Sequence, residues 1–254
     1  MLAPPSPDEA AALRRQGWLG WLASPWVCAG AIFYMRVARR NRIKDLPAVR
    51  RRFREIAAAG RPLVICANHL TMTDSLFLHW ALASTLDYFT AFRLFAWNVP
   101  AVENFKRSAP LAALTYLTKT VAIDRAGSAE HHRAVLGKLA HLLRQGDAIT
   151  VFPEGGRSRT GRVEPDEVTY GVGQVLAEVP DALVVCVYLR GDRQQTWGGQ
   201  PAVGDALEVD VEVLEPKTTA PGMRGARDRS RQIIGKLKEM EDRWFARHPA
   251  CPHG

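Results

Sequence analysis

The chain has 254 residues, of which 47% are hydrophobic and 24% charged, ordinary values for a globular protein with a sizeable core. Its four cysteines are far apart and form no Cys-x-x-Cys pair, which argues against a disulfide framework and a zinc site: Cys28, Cys66, Cys186 and Cys251. The net charge of +8 lies at the start, because residues 1–60 hold eleven Lys and Arg against four Asp and Glu, and the remainder 23 against 22.

An uncharged apolar run with three tryptophans spans residues 17–35, and arginines flank it on both sides. As a helix these residues are ~28 Å long, marginal for a hydrocarbon core of ~30 Å, and Pro25 is expected to break or kink them. Tryptophans favour the headgroup level and arginines an anionic surface. The segment predicts a hairpin or kinked helix inserted at the cytoplasmic face of a membrane, and a single span or a helix docked on the body are alternatives.

This apolar run suggests a division of the chain. Residues 1–42 are predicted as an N-terminal arm, loose over the Pro- and Ala-rich residues 1–13, and residues 43–254 as one folded domain. A basic arm also occurs in nucleic-acid-binding proteins. The neighbouring apolar run instead favours a membrane lipid as partner, and no nucleic acid is expected.

Beyond the arm, hydrophobic periodicity and capping residues predict alternating strands and helices. The predicted helices are 47–59, Ser75–Ser84, two short ones within 95–118, one from the cap Ser128 to Arg144, 169–178 and 223–247. The predicted strands are Leu63–Ala67, Asp87–Phe92, Thr120–Asp124, Ala148–Phe152, Leu183–Leu189 and 205–214. This alternation indicates a layered α/β fold. His79 is expected in the core, and His131, His132 and His141 on the surface.

The first strand breaks at Asn68-His69, and Asp74 follows where a helix begins. The carboxyl ends of strands are where α/β sheets build their sites, and a helix N-terminus favours a carboxylate. A histidine oriented by a carboxylate is a general base near neutral pH. We therefore expect His69 and Asp74 to form a catalytic pair.

Two other strand ends carry unusual polar residues, Asp124-Arg125 and Glu154–Ser158. If the strands are neighbours, these sets converge on His69. Gly155 and Gly156 allow a ligand to approach the backbone, and Arg125 and Arg157 are donors suited to phosphate or carboxylate. The predicted site therefore combines a base with anion recognition.

The sequence offers no obvious protein nucleophile for this base. A serine hydrolase needs Gly-x-Ser-x-Gly, and residues 156–160 lack the last glycine. Cys66 lies on a strand expected to be buried, which favours a structural thiol. The nucleophile is therefore expected to be a substrate hydroxyl deprotonated by His69.

These blocks resemble the glycerolipid acyltransferase family, typified by lysophosphatidic acid acyltransferase. Asn68, His69 and Asp74 match its N-H-x4-D block, and Phe152–Ser158 matches its F-P-E-G-x-R-S block, with Gly156 where threonine is usual. The resemblance covers roughly residues 45–215.

Two further blocks depart from the family pattern. Residues 123–125 keep the last three residues of F-I-D-R, but the aromatic residue is lost and Lys119 replaces a leading glycine. The fourth block, Leu183–Leu189, is apolar and lacks the usual proline. These departures put the identity of the acceptor in question more than the chemistry.

The resemblance implies a mixed, largely parallel β-sheet flanked by helices, and a role in phospholipid biosynthesis. His69 is then the base and Asp74 its orienting carboxylate. The acceptor is bound by the remaining block residues: Asn68, Arg125, Glu154, Gly155, Gly156, Arg157 and Ser158. The co-substrate is a thioester, acyl-CoA or acyl carrier protein, with no bound cofactor and no metal.

The favoured function is transfer of a fatty acyl group to the hydroxyl of a lysolipid, lysophosphatidic acid or another lysolipid such as a lyso-aminolipid. A lipid hydrolase that activates water with the same residues is one alternative. A non-catalytic lipid-binding protein is the other.

Overall fold

Five strands form one mixed sheet in the computed structural model, which describes residues 2–104 and 108–249. The strands are β1 Arg42–Ile43, β2 Leu63–Ala67, β3 Ile149–Val151, β4 Leu183–Gly191 and β5 Ala206–Leu214. Their order is β1-β5-β4-β2-β3. Strand β2 pairs in parallel with β3 and β4, β1 pairs in parallel with β5, and β4 and β5 are antiparallel. The predicted α/β fold with a mixed, largely parallel sheet is confirmed.

Helices cover both faces of the sheet. They are α1 Pro7–Phe33, α2 Leu46–Ala57, α3 Asp74–Leu82, α4 Thr85–Thr90, α5 Ala109–Leu117, α6 Ala129–Arg144, α7 Gly171–Glu178 and α8 Gly222–Arg247. Along β2, Val64 and Cys66 point into a core shared with α6, α7 and α8, whereas Ile65 and Ala67 point into a core shared with α2 and α3. Burial of both faces explains why β2 is apolar at every position.

The strand predicted at Asp87–Phe92 is wrong, because these residues lie in α4 and in a 3₁₀ turn, Phe92–Leu94. The Ser84 hydroxyl accepts a hydrogen bond from the Asp87 N–H, and the Asp87 carboxylate accepts one from the Ser84 N–H. This reciprocal capping box starts a helix despite the β-forming aromatic residues that follow.

Residues 120–124, predicted as a strand, form only isolated bridges at the edge of the sheet beyond β3. Trp97 bridges to Ile149 of β3, and the segment that begins at Trp97 bridges in turn to Thr120 and Ile123. A 3₁₀ turn, Val102–Asn104, and α5 lie in the chain between the segment that begins at Trp97 and residues 120–124. Part of the predicted pair of short helices, residues 105–107, lies outside the described residues.

The N-terminal helix α1 begins earlier than predicted and does not break. A capping box between Ser6 and Glu9 starts it at Pro7, so most of the segment expected to be loose is helical. Pro25 lies inside the helix and cannot donate a hydrogen bond to the Trp21 carbonyl. The Ser24 hydroxyl donates to that carbonyl instead, 2.8 Å away, which keeps this carbonyl paired.

Helix α1 packs on the body along one of its sides. One stripe of its residues is buried along its length: Ala10, Leu13, Gln16, Gly20, Ser24 and Cys28. Its partners are α3, α4 and α5. The hairpin form of the expectation is wrong, because one uninterrupted helix packs along this surface, and insertion of this helix at a membrane stays a prediction. The division at residues 42/43 stays a prediction.

Candidate active site

The carboxylate of Asp74 organises the loop between β2 and α3. Its Oδ2 accepts hydrogen bonds from the backbone N–H groups of Leu70, at 2.6 Å, and Thr71, at 2.7 Å, and lies 3.0 Å from His69 Nδ1. The Thr71 hydroxyl donates to the other oxygen, Oδ1. These donors stabilise the ionised carboxylate and fix the loop geometry around the histidine.

The carboxylate of Asp74 determines which nitrogen of the His69 ring can face a substrate. A contact between Nδ1 and Asp74 makes Nδ1 the protonated nitrogen of the neutral ring and leaves Nε2 as the acceptor. No protein partner of Nε2 is found in the described part of the chain. The ring stacks on Phe152, with centroids 4.2 Å apart, and the side chain keeps 18% of its surface exposed. His69 can therefore receive a proton from outside the protein.

The loop after β3 holds the backbone of His69 from the neighbouring strand end. The His69 N–H donates to Glu154 Oε1 at 2.9 Å, and the His69 carbonyl accepts from the Ser158 N–H at 2.9 Å. The condition on which His69 and Glu154–Ser158 were expected to meet is therefore fulfilled, because β2 and β3 pair in parallel.

The Glu154 carboxyl is unusually hard to ionise. Its pKa is raised to about 8, chiefly by burial and also by the nearby carboxylates of Glu241 and Asp74, while the hydrogen bond from the His69 N–H opposes the rise. A neutral carboxyl close to His69 limits the negative charge around the site to Asp74.

The two glycines of this loop have different roles. Gly155 has φ +68°, and a Cβ there would lie 2.4 Å from the Thr169 side chain, so only glycine fits. A Cβ on Gly156 would meet nothing within 4 Å. The threonine usual in the family's block therefore fits at Gly156 without a clash.

Arg157 carries a positive charge that no carboxylate of the described residues neutralises. Its Nη1 donates to the Gly198 carbonyl at 3.1 Å, and its guanidinium carbon lies 4.9 Å from the centroid of the Trp197 ring. Among the described residues no Asp or Glu forms an ion pair with it. An arginine of this kind, in the loop that holds His69, suits an anionic ligand.

A third loop completes the site and was missed in the sequence. Gly198 N–H donates to the Leu70 carbonyl at 3.0 Å, and Met72 N–H donates to the Gly199 carbonyl at 3.1 Å. This loop follows β4, which runs parallel to β2 and so opens at the same edge of the sheet. The signal that could have found it is the Trp-Gly-Gly turn after the long apolar strand.

Arg125 does not join these three loops. It is exposed, and no hydrogen bond or ion pair of its side chain occurs in the described part of the chain. Its neighbour Asp124 is held by α6 instead, because its backbone N–H donates to His131 Nε2 and its carbonyl contacts His132 Nε2. Hydrogen bonds therefore join two of the three strand ends, whereas the segment that begins at Trp97 lies between β3 and the third. The substrate-binding role of Arg125 stays a prediction.

Two other predicted substrate-binding residues have structural partners. The buried Asn68 amide donates to the Leu189 carbonyl and accepts from the Leu189 N–H, which extends the pairing of β2 with β4. The Ser158 hydroxyl donates to the Arg162 carbonyl and accepts from its N–H. Both side chains shape the loops, and contact with substrate stays a prediction for each.

The Cys66 thiol is fully buried on β2, and burial raises its pKa well above the usual range. It therefore stays a thiol and packs in the core, as expected. Within residues 2–104 and 108–249, no group of three or more His, Cys, Asp or Glu residues could hold a metal ion.

A histidine–aspartate pair at the end of a parallel strand, beside an arginine without a carboxylate partner, is a site at which an enzyme can transfer a group to an anionic substrate. The family model described as Acyltransferase matches residues 48–190. The chain therefore belongs to the acyltransferase family and is an acyltransferase, as the resemblance implied.

Other comparisons add less. No curated protein matches the chain in sequence. Among solved structures, the crystal structure of the 1-acyl-sn-glycerophosphate (LPA) acyltransferase PlsC from Thermotoga maritima matches at 16% identity and a TM-score of 0.44, covering 93% of this chain and 84% of that one. The chain is assigned to its family by the match of the family model to residues 48–190.

Proposed function

We propose that this acyltransferase moves a fatty acyl group from a thioester to the hydroxyl of a lysolipid, with His69 as general base. The observation that carries the proposal is the contact of His69 Nδ1 with Asp74, which leaves Nε2 without a protein partner in the described part of the chain. In a family of acyltransferases, that nitrogen is where the acceptor hydroxyl is expected to bind.

The reaction follows from this geometry. His69 Nε2 takes the proton of the acceptor hydroxyl as its oxygen attacks the thioester carbonyl, and Asp74 stabilises the imidazolium that forms. When the tetrahedral intermediate collapses, the carbon–sulfur bond breaks and the proton passes from His69 to the leaving thiolate. The acyl carrier is coenzyme A or acyl carrier protein: its acyl thioester is consumed as the co-substrate, and the carrier leaves as the free thiol.

Lysophosphatidic acid is the proposed acceptor. Its phosphate supplies the charge that Arg157 lacks within the protein, in a loop whose Ser158 N–H binds the His69 carbonyl. A lyso-aminolipid is the alternative acceptor. It would share the hydroxyl that His69 deprotonates but offer a different head group to Arg157.

Membrane association is part of the proposal. The outward side of α1 exposes large apolar side chains next to exposed ones of α4 and α5: Trp18, Leu22, Trp26, Phe33, Leu86, Phe89, Leu111 and Leu114. Among the described residues, the helical segment Pro7–Ala38 is long and apolar enough to cross a membrane, and only 22% of its most apolar 18-residue stretch is buried in the protein. Because its other side packs on the body, we propose that α1 lies in the cytoplasmic interface of the membrane.

The test is an acyl-transfer assay with purified protein, oleoyl-CoA or oleoyl acyl carrier protein as donor, and lysophosphatidic acid or a lyso-aminolipid as acceptor. Wild-type protein should form the diacyl lipid, and His69→Ala should lose about 10³-fold in kcat, because the general base is removed. His141→Ala, on α6, is the matched control.

Other outcomes of the same assay would contradict the proposal. Free fatty acid without diacyl product indicates a hydrolase, and binding of lipid without turnover indicates a lipid-binding protein. Near wild-type transfer by a folded His69→Ala protein rules out His69 as the base. Failure of the wild type to bind anionic vesicles in a sedimentation assay would overturn the membrane part alone.

A further inference from the structure

The loop between β4 and β5, residues 192–204, is held at its start by the buried side chain of Arg190. Its Nε donates to the Gln194 carbonyl at 3.0 Å and its Nη2 to the Gln195 carbonyl at 3.1 Å, while Nη1 donates to the Gly161 carbonyl at 2.6 Å. Arg190 thus joins this loop to the one that carries Arg157. The two loops pack closely, since a Cβ on Gly161 would lie 2.7 Å from the Gln195 carbonyl oxygen.

The far end of the loop is held by residues that follow α1. Asn41 Nδ2 donates to the Ala202 carbonyl at 2.7 Å, and Arg39 Nη2 donates to the Pro201 carbonyl at 2.7 Å. In the middle, the Gly198 N–H donates to the Leu70 carbonyl. A backbone tied at both ends and in the middle places the Trp197 side chain at a defined position.

Trp197 is not a core residue, because 44% of its surface is exposed. Its aromatic face instead meets the Arg157 guanidinium at 4.9 Å, a distance at which a cation and an indole attract each other. Arg157 has one hydrogen bond, from Nη1 to the Gly198 carbonyl, in the part of the chain that the structure describes. The other guanidinium donors are left for a ligand.

This arrangement matters because arginine is a long side chain with many rotamers. An arginine side chain without contacts on the protein loses this rotamer entropy when it binds an anion, and the loss weakens binding. An indole face and one carbonyl that already hold the guanidinium reduce this cost.

We propose that Trp197 is a positioning residue, which holds the Arg157 guanidinium ready for the anionic head group of the acceptor. This inference rests on the proposed function, and it adds a loop that the family's sequence blocks do not include. Trp197 acts through Arg157, so its effect falls on recognition of the phosphate and not on proton transfer at His69.

The test compares Trp197→Ala with Trp197→Phe, which keeps an aromatic face, and with Gln195→Ala as a control in the same loop. For Trp197→Ala, the KM for lysophosphatidic acid should rise roughly 3- to 10-fold. This factor should be larger than the factor by which kcat falls. It should also be larger than the rise in KM for monoacylglycerol, an acceptor without the phosphate. Trp197→Phe should recover most of the loss. Thermal melting identifies a variant that is merely misfolded, and Trp197→Phe then carries the test.

A double-mutant cycle separates a positioning role from an independent contact. If Trp197 acts through Arg157, the KM of Arg157→Gln/Trp197→Ala should match that of Arg157→Gln within about twofold. Additive effects, or a Trp197→Ala protein with wild-type KM for lysophosphatidic acid, overturn this inference while leaving the proposed function standing. A wild-type protein that does not acylate lysophosphatidic acid overturns the proposed acceptor first, and the role of Trp197 with it.

Discussion

Two histidines ten positions apart in the sequence lie in different regions of this molecule, and their surroundings give the two rings opposite acid–base properties. His69 lies at the end of β2, contacts the Asp74 carboxylate and is partly exposed. His79 lies in α3, contacts the Tyr88 hydroxyl and the Asn98 amide, and stacks on Phe95 with centroids 4.3 Å apart. Burial, together with the nearby charge of Lys119, lowers the pKa of His79 to about 3.

The difference shows what a histidine needs in order to work as a base. A proton that arrives on the ring creates a positive charge, and a nearby carboxylate stabilises that charge. The region around His69 supplies Asp74 and a ring nitrogen that has no protein partner among the described residues. The region around His79 supplies neutral partners and an aromatic wall, so His79 stays neutral and packs, as the sequence predicted.

Removing the carboxylate from the His69 region should have the largest effect. In Asp74→Asn, an amide replaces the oxygen that faces His69 Nδ1 and the N–H groups of Leu70 and Thr71, so ring orientation and charge stabilisation are both lost. We expect kcat to fall about 10²- to 10⁴-fold in the acyl-transfer assay.

The matched control for this change is Asp87→Asn, which removes the capping carboxylate of α4 away from the site. It should cost about 0.5–2 kcal/mol of stability and little activity. If both variants lose activity equally, Asp74 has no special relation to His69.

A smaller effect is expected from Glu154, which holds the His69 backbone. Glu154→Ala leaves the His69 N–H without its acceptor, at a cost of about 1–3 kcal/mol, and should lower kcat about 10-fold. Glu154→Gln keeps an acceptor oxygen and should stay within a few-fold of wild type. Equal loss in the two variants would show that the ionisable carboxyl itself is needed.

The pH dependence of stability tests the same residue. The pKa of Glu154 is about 8 in the folded protein and near 4.5 otherwise, so the unfolded chain releases this proton first as pH rises. Glu154 therefore lowers the free energy of unfolding between about pH 4.5 and 8, by up to about 1.4 kcal/mol per pH unit. In denaturant titrations, Glu154→Gln should gain stability relative to wild type across this range, and a constant difference would contradict the raised pKa.

The smallest effect on activity is expected in the His79 region. His79→Leu removes the hydrogen-bond partner of the Asn98 amide and should cost about 1–3 kcal/mol of stability, with kcat nearly unchanged.

The pH dependence of stability tests His79 as well. Because the pKa of His79 is lowered to about 3 in the folded protein, the unfolded chain binds a proton near pH 6.5 and the folded protein does not. Wild-type stability should therefore fall as pH drops from 6.5 towards 3, and this part of the slope should vanish in His79→Leu. Identical slopes would show that His79 is not kept neutral.

Local patterns were sufficient for much of the fold and part of the site. Strand β2 was predicted with its observed bounds, because a strand buried on both faces is apolar throughout. The Ser128 cap and the apolar stripe predicted the bounds of helix α6 to within one residue. The His69–Asp74 pair followed from a strand that stops where a helix N-terminus begins.

Other predictions were wrong because the local signals compete with one another or because the deciding contacts come from residues far away in the sequence. Asp87–Phe92 has β-forming residues, but the Ser84 cap prevails and makes a helix. Pro25 is tolerated in α1 because the neighbouring Ser24 pairs the carbonyl that proline leaves free. Lys119, where the family has glycine, adopts φ +53° and is held by an ion pair with Asp147 at 2.7 Å.

The sequence by itself determined the layered α/β fold, the pair of His69 with Asp74 and the loop of Glu154, since these depend on residues close together in the chain or on blocks read in order. Only the tertiary structure decided which strand ends meet. Parallel pairing of β2 with β3 and β4 brings the Arg157 and Trp197 loops to His69 and leaves Arg125 exposed beyond the edge of the sheet. Pairing between distant strands depends on the packing of the whole core, which no local pattern encodes.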